Sequence, residues 1–152
     1  MARNPLLIVA IILVVLLPAS AQIVTHPRPQ LKGGVTLEVE HAYDTTFDAV
    51  RAWLLRKDYA ISVSDREAGQ LVTMMAVITA SAPTGEISQT GTRLMLTFKN
   101  TAANETTIKV VVTEQHRGKY AAGDRHFTNW SPARVNDAES QRIAQDIKVA
   151  TQ

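Results

Sequence analysis

The chain contains no cysteine. That one absence excludes disulfide staples, thiolate metal sites, a cysteine nucleophile and the lipid-bearing cysteine of a bacterial lipoprotein. An excess of charge of one sign is also missing, with 16 basic and 14 acidic residues and a formal charge of +2. Without Arg3, which lies in a segment expected to be cleaved, the +2 falls to +1. So small an imbalance gives no long-range field for nucleic acid or anionic lipid, and no nucleic-acid partner is expected.

Signatures of reactive chemistry are missing too. The four histidines, His26, His41, His116 and His126, show neither H-x-H nor H-E-x-x-H spacing, so no metal site is expected. No G-x-S-x-G ties a serine to a base, and Gly33-Gly34 precedes a strand pattern without forming a phosphate loop. Asn104-Glu105-Thr106 and Asn129-Trp130-Ser131 match the glycosylation triplet by chance, the second being followed by Pro132. Asp124-Arg125-His126 is the one candidate for an orienting acid–base pair. No catalytic residue and no cofactor are therefore expected; a hydrolase built on the segment around His126 is the weakest functional reading.

Long apolar runs are absent except at the start. Leu6 to Leu17 is unbroken, with Arg3 before it, then Pro18 and the small-x-small site Ala19-Ser20-Ala21. A run this short, followed by such a site, is the pattern of a secretory signal; a membrane span needs about 20 apolar residues. The expectation is a signal peptide over 1–21, a flexible leader over 22–34 and one exported domain over 35–152, with no membrane span after cleavage; the alternative is that the apolar run is retained as an uncleaved N-terminal anchor. A single Cys-free domain of this size fits a bacterial periplasm or secretion from a bacterium.

Within 35–152, apolar residues alternate at Val35, Leu37 and Val39, predicting a half-buried strand whose buried face His41 continues. Asp44-Thr45-Thr46 offers helix caps, with Asp48 placed to favour the dipole. Phe47, Val50, Trp53 and Leu54 follow at helical spacing, so a helix is expected from Thr46 to Arg56 or Lys57. Tyr59 to Ser64 reads as a strand, Asp65 to Gly69 as a hairpin turn whose glycine supplies positive φ, and Gln70 to Thr79 as a strand apolar on both faces. Two-sided apolarity implies a central strand, or one whose outer face something else covers. Ala80 to Gly91 reads as a loop, and 93–99 with 106–113 as a hairpin. At the end, Asn136 caps a helix, with Glu139 at the capping-box position and Ile143, Ala144, Ile147 and Ala150 as its stripe. The expected fold is α+β: an antiparallel sheet in β-α-β-β-β-β-α order with two helices on one face.

The stretch Phe47 to Leu54 (FDAVRAWL), leading to Ser64 to Leu71 (SDREAGQL), resembles a group of small bacterial envelope domains. In these, a helix of this form precedes a strand and an acidic D-x-E-x-G-x-L turn. The group includes uncharacterised exported proteins with a TBP-like fold and an accessory lipoprotein of the outer-membrane barrel assembly machinery. The resemblance implies a TBP-like architecture and an accessory role, and carries over no catalytic residue. The chain departs from the lipoprotein members in lacking their lipobox cysteine, so outer-membrane anchoring does not carry over.

The connection from Glu114 to Val135 is longer than ordinary loops. It reads as a hidden short strand, an ordered binding loop or a disordered segment. Arg117, Lys119, Tyr120, Arg125, His126, Phe127 and Trp130 make the mixture that recognition surfaces use, and are the candidate binding residues; the alternative is that the aromatics seal the sheet edge. Trp53 reads as core. The leading functional reading is a non-enzymatic interaction or accessory module of the bacterial cell envelope, its partner an envelope protein. The alternative is a carrier of a small apolar ligand or lipid held between the sheet and the last helix. Met74, Met75 and Met95 offer an adaptable apolar lining for such a site; the alternative is that they fill the core, as strand methionines usually do.

Overall fold

The computed structural model describes residues 32–119 and 127–152. The apolar run, its cleavage site and most of the leader lie outside the described residues. The elements are β1 (Val35–Val39), α1 (Tyr43–Arg56), β2 (Ile61–Asp65), β3 (Gln70–Thr73), β4 (Ala76–Ser81), β5 (Ile87–Ala102), β6 (Glu105–Lys119), β7 (Arg134–Val135) and α2 (Asp137–Ala150). All strands join one antiparallel sheet, in the order β1-β6-β5-β3-β2. β4 continues along β5 beyond the end of β3, and β7 pairs with β6 beyond the end of β1. The chain is thus α+β with an antiparallel sheet, and the described residues hold two helices and seven strands where five strands were expected.

Register explains the core. Leu37 faces Ile108, which faces Phe98, and Val35, Val110, Leu96 and Leu71 line up across four strands. Onto this face pack Phe47, Val50, Trp53 and Leu54 from α1, and Ile143, Ala144 and Ile147 from α2. The 3.6-residue stripes of the helices meet the alternating rows of the strands, which is why both periodicities were readable. Trp53 is buried, beside Tyr59.

Several expectations need correction. First, α1 begins at Tyr43, most of a turn before Thr46, and its cap residue Ala42 makes no side-chain cap bond. Tyr43 and Phe47 lie one turn apart and both pack against Phe98, at 6.5 and 5.0 Å. That packing outweighs the capping propensity of Asp44-Thr45-Thr46. His41, past the end of β1, is exposed rather than buried; its carbonyl accepts the hydroxyls of Thr46 and Thr106 at 3.3 and 2.9 Å.

Second, the strand expected over 70–79 is two strands. Val72 faces Met95, yet Ala76 faces Thr92, one residue out of step. A slip of one residue exchanges the faces of everything after it. Leu71 and Thr73 therefore face the helices while Val77 and Thr79 face away, and every residue of β4 is exposed. The two-sided apolarity reflects this exchange, not a covered central strand.

Third, the loop expected over 80–91 contracts to a turn. The Ala82 amide donates to the Glu86 carbonyl at 2.8 Å, the Gly85 amide to the Ala82 carbonyl at 3.0 Å, and Gly85 takes φ +82°. This is the three-residue hairpin connection with a left-handed glycine. Fourth, β6 runs on to Lys119, so much of the supposed long connection is strand.

α2 starts as expected. Asn136 Oδ1 accepts the Glu139 amide at 2.9 Å, and Asn136 Nδ2 donates to Glu114 at 2.7 Å. The Glu139 carboxylate turns to Arg142 instead of back to the cap, accepting from Nε at 2.9 Å and Nη2 at 2.6 Å. These bonds hold the Glu139 carboxyl below its ordinary 4.5. A lowered folded-state value means the stabilisation is complete above the unfolded value and disappears as pH falls through the folded one. Glu139→Gln is therefore expected to lower stability at pH 7 by less than about 1 kcal/mol, the pair being partly exposed and screened by solvent. The difference from the parent should shrink below pH 4.5, which thermal melts at pH 7 and pH 3 would show.

Candidate functional site

The helices cover the sheet only where β5 and β6 carry Leu94 to Phe98 and Thr106 to Val112. The distal halves of these strands, 87–93 and 113–119, form an arm with β4 on one side. On its other side, residues 127–133 run along β6. The Thr128 amide donates to the Gly118 carbonyl at 2.9 Å, and the Gly118 amide to Thr128 Oγ1 at 3.1 Å. The Ser131 amide donates to the His116 carbonyl at 2.8 Å, and the His116 amide to Ser131 Oγ at 2.9 Å. Gln115 Nε2 adds a bond to the Ser131 carbonyl at 2.9 Å. Side-chain oxygens thus fill ladder positions, and β7 completes the edge.

This stitching brings the aromatics of the connection onto the face of the arm turned away from the helices. The Arg117 guanidinium lies 4.8 Å from the centre of the Phe127 ring and 4.4 Å from that of Trp130. The Lys119 ammonium lies 5.2 Å from Phe127. Each such contact at a partly exposed site contributes about 0.5–1 kcal/mol. Arg117 Nε donates to Gln89 Oε1 at 2.7 Å, and Gln89 Nε2 donates to Thr79 Oγ1 at 3.0 Å. The cation is thereby fixed both by stacking and by a hydrogen-bonded chain across three strands. Gly91 sits below: a Cβ there would come within 2.6 Å of Met75 Sδ and 3.2 Å of Trp130 Cη2. The missing side chain makes the hollow into which Trp130 reaches.

Of the candidate residues, the structure brings together Arg117, Lys119, Phe127 and Trp130. Tyr120, Arg125 and His126 lie outside the described residues, as do His26 and Asp124. His116 belongs to the opposite face, with its Nδ1 3.1 Å from Thr90 Oγ1. Among the described residues no group of three His, Asp or Glu side chains could hold a metal ion, and no helix is long and apolar enough to cross a membrane. Gln89, Thr79 and Gly91 were missed, because the segments holding them read as a loop and a covered strand; Met75, expected at an apolar-ligand site between the sheet and the last helix, instead lies beside Gly91 and Trp130 on the face turned away from the helices. The recurrence of Ile87, Gln89, Gly91 and Arg93 at every second position was the available signal. No protein-family model matches the chain, and no curated protein matches it.

Proposed function

We propose that the protein is a non-enzymatic interaction module of the bacterial cell envelope, docking its partner on the arm around Arg117. The observation that carries this reading is the stacked group Phe127–Arg117–Trp130, braced by Gln89 on a part of the sheet that no helix covers. Arg and Trp are the residues most often found at the energetic centre of protein interfaces. Bracing lowers the conformational entropy lost when a partner orders them. The signal-like start and the resemblance to TBP-like envelope domains favour that location. The carrier reading has less to rest on: Leu37, Val110, Val112, Ile143, Ala144 and Ile147 are all buried together between the sheet and α2.

Partners recovered from envelope fractions by the full protein would identify the docked component. Arg117→Ala is then expected to weaken binding of that component by roughly tenfold to a hundredfold, with an unchanged circular dichroism spectrum. Equal recovery and affinity with the variant would remove the arm from the interface.

A further inference from the structure

Beyond the docking site on its face, the arm has an edge. Among the described residues β4 has a ladder partner, β5, on one side only. Its six residues, Ala76 to Ser81, are all exposed, with Ile78 at 69% and Val77 at 44%. From Ala68 to Gly85 the chain carries no charged residue. Natural sheets blunt their edges with charges, bulges or very short strands. The other edges here follow that rule: β1 carries Glu38, β2 has an irregular register between Ile61 and Val63 and ends in Asp65, and β7 is two residues long. β4 has none of these protections, and its register with β5 is unbroken over all six residues.

We infer that β4 is the dimerisation edge of this protein, pairing antiparallel with β4 of a second copy. The ladder shows which backbone groups are offered. Antiparallel neighbours alternate between bonded and non-bonded pairs. Counting from the Ala82–Glu86 bond, Ala80, Ile78 and Ala76 bond to β5, and Val77, Thr79 and Ser81 turn their N–H and C=O groups to the free edge. A twofold axis at Thr79 sets Thr79 against Thr79 of the partner subunit and Val77 against Ser81 of the partner subunit. Every outward N–H and C=O of these three residues then has a partner. The same register puts Ile78 opposite Ala80 of the partner subunit, large against small. Charge selects the occupant. A twofold pairing sets like side chains near one another, so a charged strand repels its own copy. This edge has no charge to repel a copy and none to recognise a charged peptide.

The absence of cysteine makes the test clean. Protein purified from cells expressing the full chain is expected to sediment as a dimer at tens of micromolar. Thr79→Cys places two thiols across the axis, where bonded antiparallel Cα atoms lie about 5.5 Å apart, within disulfide range. Under mild oxidation it should cross-link at least about tenfold faster than Val149→Cys, an exposed control on α2. Val77→Cys should cross-link with Ser81→Cys but not with itself. Thr79→Pro removes an outward N–H without removing a β5 bond and should give a folded monomer. Ile78→Lys, at an exposed position, should do the same if the proline variant fails to fold. A parent that stays monomeric, a Thr79→Cys rate equal to that of Val149→Cys, or an Ile78→Lys variant that still dimerises would each overturn the inference.

Discussion

Phe47→Ala is expected to cost the domain about 4 kcal/mol and to lower its Tm by roughly 15 °C. The ring is 2% exposed and sits between sheet and helix, 5.0 Å from Phe98 and 6.2 Å from Tyr43. Its outer face lies 5.1 Å from the Arg66 guanidinium. Arg66 in turn bonds Asp44 at 2.9 Å and Asp48 on α1, and its carbonyl accepts the Tyr43 hydroxyl at 2.5 Å. Removing the ring leaves a cavity in the core and withdraws the surface on which the β2–β3 turn is clamped to α1. Because Phe98 shares that cavity, Phe47→Ala and Phe98→Ala should not be additive. Urea unfolding of the two single variants and the double variant would measure both effects; a Phe47→Ala loss under about 1 kcal/mol would contradict the packing argument.

Gly69→Ala is the second large effect, expected at about 3 kcal/mol although only one methyl is added. Gly69 adopts φ +64°, and a Cβ there would lie 2.5 Å from the Phe98 carbonyl oxygen. The close approach is built in, since the Gly69 carbonyl accepts the Phe98 amide at 2.8 Å. Backbone strain and a clash with backbone therefore act together. Gly85 separates the two terms: its φ is +82°, yet nothing lies within 4 Å of its added Cβ. Gly85→Ala should cost only the conformational term, about 1–2 kcal/mol. Equal urea midpoints for the two variants would show that the contact with Phe98 adds nothing.

Both positions were legible in the sequence, Phe47 from helical spacing and Gly69 from turn chemistry. So were the α2 cap and the alternating rows of β1, the proximal half of β5 and the proximal half of β6. Where burial demands an apolar residue at a fixed period, the period appears in the letters. The arm escaped because its residues lie beyond the helices: Ser88, Thr90 and Thr92 meet no core, so nothing imposes an apolar alternation. The one-residue slip after Val72 left no mark either, since methionines suit both faces of the break. At the candidate site, composition pointed to Arg117, Lys119, Phe127 and Trp130. The bracing by Gln89 was invisible because that residue stands 28 positions away, on a neighbouring strand.

The place of β1 in the sheet has a kinetic consequence. Val35 pairs with Val110, whereas β2–β3, β4–β5 and β5–β6 each join strands that follow one another along the chain. As the polypeptide leaves the ribosome, the hairpins can form in turn while β1, the first strand made, waits for β6. α2, which covers β1 and β6, comes later still. Contacts so far apart along the chain must offset a larger loop-closure entropy than hairpin contacts do. The nascent chain therefore stays open, with Leu37 and Val39 unburied, until most of it has been synthesised. That is the interval in which a chaperone has an apolar strand to hold.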